Sequence, residues 1–150
     1  MSTTVAAIRK TITVAAAPEH AFRTFTDGIA RWWPLETHSI HEREAEDVVL
    51  EARVGGRFFE RSASGATAAW GEVLECDPPR LIRYTWHPGY EPDAPMTEVE
   101  VRFQPEGDGT RVELEHRGWD RLGAAATEQQ RGYDEGWDYV LGRFAAHIAS

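Results

Sequence analysis

His116, Glu60, Glu72, Tyr84 and Tyr133 are the side chains of this sequence whose types could manage protons in a shared site. A desolvated carboxyl has a raised pKa, and a histidine ending an apolar strand face could titrate near neutral pH, which is how general acids and bases are prepared. That would be the chemistry of a cyclase, hydratase or dehydratase. Strand alternation does not establish that the five converge. The plainer reading is preferred, with His116 hydrogen-bonded at a strand end and Glu60 and Glu72 solvated.

His38 and His41, followed by Glu42 and Glu44, have a spacing that could gather metal ligands. HxxHE in a polar loop is a weak signal, and the chain lacks both HExxH and paired cysteines, so no metal is expected. A GxSxG nucleophile motif is also missing, and Cys76 precedes a turn without an evident activating partner. Gly107-Asp108-Gly109 and Gly55-Gly56 read as hairpin turns, not phosphate loops. No cofactor is expected, and no residue is assigned as catalytic.

The 150-residue chain has a net charge of −9 with its sixteen Lys and Arg scattered, which disfavours nucleic acid as a partner. A single cysteine, and no charged leader ahead of an apolar stretch in MSTTVAAIRKTITV, point to a reducing cytoplasm. No apolar run approaches the roughly 18 residues that span a bilayer, so no membrane is expected. The length suits one domain over residues 1–150.

These residues must be held by elements that the pattern makes legible. Ile8 to Val14 alternates as a half-buried strand, Pro18 opens a short helix reaching about Phe25, and Asp27 is a plausible cap for a second short helix ending at Trp33. Residues 35–46 have no clean periodicity and read as a mobile loop. Strands are then expected at Val48 to Val54 and Arg57 to Arg61, joined tightly at Gly55-Gly56, and at Ala69 to Cys76 and Leu81 to His87 around Asp77-Pro78-Pro79-Arg80. Two further strands carry Thr97 to Phe103 and Val112 to His116, and Glu128 to Ile148 is a long amphipathic helix. A sheet with one apolar face needs a cover, and only that helix supplies one.

A curved antiparallel sheet of about seven strands gripping the helix would enclose a cavity, closed at one end by the short helices. Inward candidates are Val99 and Val101 beside Thr97 and Phe103, Tyr84 and Trp86 beside Ile82, and His116 beside Val112 and Leu114. Tyr133, Trp137 and Leu141 face them from the helix, Phe58 pairs with Glu60 as the inward set of its strand, and one of Trp32 and Trp33 lies near the entrance. The facing of Trp70 and Glu72 is not assigned. The expected ligand contacts are Trp33, Phe58, Tyr84, Trp86, Val99, Val101, His116, Tyr133, Trp137 and Leu141, since aromatic walls with polar tips suit an amphipathic ligand.

Ala17-Pro18-Glu19-His20-Ala21-Phe22, Thr26-Asp27, Trp32-Trp33 and Val54-Gly55-Gly56-Arg57-Phe58 resemble the opening of the family of homologues of the activator of heat-shock-protein-ninety ATPase. The similarity continues through Gly71-Glu72-Val73, Tyr84-Thr85-Trp86, His116-Arg117-Gly118-Trp119 and Gly136-Trp137, covering roughly residues 8–148. It implies an α+β helix-grip fold of the SRPBCC superfamily, shared with START domains, birch-pollen-allergen-like proteins and polyketide cyclases. That fold hosts carriers, cyclases and co-chaperones, so it leaves function open. The first expectation is a domain binding a small apolar or amphipathic molecule without an assigned reaction. The alternatives are a cyclase- or hydratase-type enzyme and a co-chaperone with a chaperone partner.

Overall fold

Period-two alternation produces a strand wherever one face can be buried, and here it does so seven times. The computed structural model describes residues 5–88 and 95–149. Its strands are β1 (Ile8–Val14), β2 (Ala45–Leu50), β3 (Arg57–Ser62), β4 (Thr67–Asp77), β5 (Leu81–Trp86), β6 (Thr97–Glu106) and β7 (Gly109–Arg117). They form one antiparallel sheet in the order β1-β7-β6-β5-β4-β3-β2, curled into a half-barrel.

β1 lies beside the last strand, Ile8 opposite His116, so the chain must cross the open side of the sheet to reach β2 at the far edge. Helix α1 (Pro18–Phe25) and a 3-10 turn at Ile29–Arg31 make the crossing. Pro18 starts α1 with its fixed φ, and Ala21, Phe22 and Phe25 are its buried side. Helix α2 (Ala126–Ala149) then lies in the hollow and buries Trp137, Val140, Leu141 and Phe144. Phe144 meets Phe25 and Trp32 at ring-centroid distances of 5.4 and 5.0 Å, tying α2 to the crossing segment. Lys10 on β1 adds ion pairs to Asp134 and Asp138 of α2 at 2.9 and 3.0 Å.

Three expectations change. The second short helix is a single 3-10 turn without a side-chain cap from Asp27, because Thr26 Oγ1 donates to Phe22 O and Gly28 N to Arg23 O, which closes α1 first. β2 runs from Ala45 to Leu50, and its last pair, Leu50 with Phe58, leaves residues 51–56 as a loop where a tight two-residue turn was expected. Residues 35–46 are not loose, since they contain a 3-10 turn at Glu42–Glu44 and are fastened to the sheet as described below. Among the described residues no helix is long and apolar enough to cross a membrane.

Candidate functional site

Between α2 and the β4–β5 part of the sheet lies a partly open cavity of about 230 Å³. Its walls are Trp33, Trp70, Trp86 and Trp137, with Tyr133, Gly136 and Val140 from α2 and Pro88 after β5. Thr37, His38, Ser39 and Ile40 form the rim. Tyr133, Gly136, Trp137 and Val140 are spaced three and four apart, so they share one face of the helix. Gly136 keeps that face low: a Cβ added there would come no nearer than 4.0 Å to His38 Cδ2.

Glu60 holds the rim in place. Alternation on β3 turns it inward with Phe58 and Ser62, and its side chain is completely buried. Its carboxylate accepts from Ile40 N at 2.5 Å, His41 N at 2.9 Å, His41 Nδ1 at 2.8 Å and Trp70 Nε1 at 2.7 Å. Burial alone would raise its pKa, but these donors outweigh burial and hold it below the ordinary value. Trp33 Nε1 donates to His38 O at 2.8 Å, a second fastening from the wall to the rim. The carboxylate expected to be solvated is therefore a structural anchor with its acceptor sites taken.

His116 follows the plainer reading, held by hydrogen bonds to its neighbours. Trp137 Nε1 donates to its Nδ1 at 2.9 Å, so the proton of the neutral ring is on Nε2, which donates to Thr97 Oγ1 at 2.6 Å. The ring is fully buried, and burial lowers its pKa to about 3, far from neutral titration. Glu72 is exposed, and burial pushes the Tyr84 phenol upward. The proposed proton-handling set does not come together.

Of the ten expected ligand contacts, Trp33, Trp86, Tyr133 and Trp137 line the cavity. Phe58, Tyr84, Val99, Val101, His116 and Leu141 are buried outside its wall. The reason is steric: Trp86 and Trp137 meet at 5.9 Å and Trp86 and Phe58 at 5.7 Å, which fills the middle of the sheet-helix gap. Trp32 lies behind, its Nε1 donating to Thr24 O at 2.7 Å. Gly136 and Val140 were legible from helical spacing alone. Trp70 and the rim were not.

The sequence model described as Activator of Hsp90 ATPase homolog 1-like protein matches residues 15–149. The chain belongs to this family. Among solved members of the fold, the anthrahydroquino-gamma-pyrone synthase Txn09 is 35% identical, with 97% of this chain and 99% of that one covered and a TM-score of 0.65. A protein from Chromobacterium violaceum is 26% identical, with 96% and 98% covered and a TM-score of 0.68. The Aha1 dimer of Colwellia psychrerythraea shares the fold, with a TM-score of 0.68 at 18% identity and 96% of each chain covered. No curated protein sequence matches this one significantly. The helix-grip architecture is thus shared with solved structures whose names differ in what they say the proteins do.

Proposed function

We propose that this chain binds a small, planar, largely aromatic molecule in the cavity against α2. The observation that carries this is four tryptophans forming the wall while Thr37, His38 and Ser39 gather polar groups on the rim. Flat apolar rings fit such a wall, and a polar edge of the ligand can meet the rim. At about 230 Å³ the space is below the roughly 300 to 1,000 Å³ of common ligand pockets, so it suits a one- or two-ring unit whose remainder extends through the mouth.

A second reading, an enzyme that closes or rearranges rings on such a molecule, is supported by the 35% identity to a gamma-pyrone synthase over nearly the whole of both chains. The proton-handling residues first suspected do not supply its chemistry, because His116 and Glu60 are saturated by protein partners.

2-Naphthol is a suitable probe of the binding reading, since it quenches nearby tryptophans and matches the size of the space. Gly136→Leu fills the cavity from a helical position and improves helix propensity by up to about 1 kcal/mol. Quenching should be saturable in the wild type and weakened at least about tenfold by G136L, with Tm unchanged or raised. Equal quenching of both proteins would remove the cavity as the site.

A further inference from the structure

Among the described residues lining the cavity, His38 is the one imidazole, and no carboxylate, lysine, arginine or cysteine joins it. It is restrained on several sides. Its Nδ1 shares a 2.7 Å hydrogen bond with Thr37 Oγ1, its ring stacks on Tyr139 of α2 at 5.1 Å and 16°, and its carbonyl is held by Trp33 Nε1. Immediately after it, the N–H groups of Ile40 and His41 are clamped by Glu60. The groups that face it are thus Thr37 and Trp33 from its own segment and Gly136 and Tyr139 from α2, and the hydrogen-bonded pair His41–Glu60 stands next along the rim. Burial lowers the pKa of His38, which keeps it neutral at about pH 7. Nε2 has no hydrogen-bond partner among the described residues, and a hydroxyl beside Nδ1 can accept its proton and steady an imidazolium.

We propose that His38 is the proton-transfer residue of this cavity, its Nε2 taking the proton of a phenolic or enolic O–H on the bound aromatic molecule and later returning it. The inference rests on the aromatic-ligand reading above. The O–H bond breaks with its electron pair left on oxygen, and the proton forms the new N–H bond at Nε2 while Nδ1–H donates to Thr37. Return of that proton to oxygen or carbon of the same molecule restores neutral His38. Return to carbon gives the tautomer of the bound molecule, return to oxygen regenerates it, and neither needs a co-reactant. Thr37 is a positioning residue, since it acts through the ring of His38.

2-Naphthol tests this directly, because its excited state is a strong acid that emits as naphtholate when a base lies within hydrogen-bond reach. The full chain is loaded with it and excited beyond the tryptophan absorption, while tryptophan quenching separately reports occupancy. Bound to wild type it should emit as naphtholate. In His38→Gln that emission should fall about tenfold, the scale of general-base contributions being at least this large. Affinity should weaken by no more than about tenfold, the worth of one hydrogen bond. Thr37→Val should give an intermediate loss. In wild type the naphtholate emission should also disappear on acidification through one proton, with a midpoint below the ordinary 6.5 of histidine. Equal naphtholate emission from occupied wild type and H38Q, or an emission ratio in wild type that ignores pH, overturns the role of His38 and leaves binding intact. Absence of quenching in the wild type overturns the ligand reading itself, and the inference with it.

Discussion

His116 is neutral because both of its ring nitrogens are already committed, one accepting from Trp137 and one donating to Thr97. Its pKa is lowered by burial to about 3 from the ordinary 6.5 of the unfolded chain. A folded-state pKa below the unfolded one means that the unfolded state binds the proton first as pH falls. The stability due to this residue is therefore fully present above about pH 6.5 and is lost progressively toward pH 3. His116→Gln can still accept from Trp137 and donate to Thr97 but does not titrate. Chemical denaturation at several pH values should show the slope of stability against pH in that window smaller in H116Q by about one proton. An unchanged slope would mean that His116 is protonated in the folded protein. His116 and Glu60 were both placed inward by strand alternation, and the hydrogen-bonded role of His116 was legible in the sequence while the anchoring role of Glu60 was not. The donors that complete Glu60 come from Ile40 and His41, 20 and 19 positions earlier, in a segment without periodicity. His38 was hidden for the same reason, because a rim fastened by one distant carboxylate looks, residue by residue, like an ordinary polar loop.

The irregular stretch of β4 shows how an element can defeat its own pattern. Phe58 pairs with Gly71 and Phe59 with Ala69, so Trp70 is the extra residue of a bulge, and Trp70 and Gly71 are buried in succession. Alternation fails there, which is why the facing of Trp70 and Glu72 could not be assigned from sequence. The backbone of β5 comes so close at this point that a Cβ on Gly71 would lie 1.8 Å from Thr85 O, while Glu72 N donates to Thr85 Oγ1 at 2.9 Å. Gly71→Ala must therefore push β4 and β5 apart beside the cavity wall. It should cost about 3 kcal/mol or more, read as a lowered Tm, and should weaken 2-naphthol binding by displacing Trp70. A stability within about 0.5 kcal/mol of wild type would show that the two strands are not held this closely. Where no bulge intervenes the elements were legible: β1, β6, β7 and α2 follow their apolar periods closely. The edge strand β2 was misplaced because Ala45–Leu50 begins in acidic sequence, and pairing with β3, not composition, makes it a strand.

Across the whole molecule, ring contacts run without a break from one end of the core to the other. Phe22 meets Phe103 at 5.4 Å, Phe103 meets Phe25, and Phe25 leads through Phe144 to Trp32. Trp33, Trp70 and Trp86 carry the series to Trp137, and His116 joins it to Trp119 at 4.2 Å. Strands β3 to β7, the crossing segment and α2 all contribute rings to this one cluster, so none of them can leave without exposing large apolar rings. The outer face of the sheet adds little that could hold it apart from the core. Its ion pairs, such as Arg83 with Glu98 and Arg9 with Glu115, reach partly exposed partners, where such pairs are worth at most about 1 kcal/mol. The expected consequence is a single cooperative transition, with the near-ultraviolet circular dichroism of the tryptophans and the far-ultraviolet signal of the sheet lost at the same temperature. Because the cavity is a gap within that cluster, 2-naphthol at about 100 times its Kd should shift both signals upward together by about 2.7 kcal/mol of added stability. If the tryptophan signal melts ahead of the backbone signal, or only one of them responds to the probe, the cavity belongs to a subdomain that opens by itself and the cluster is not the unit of folding.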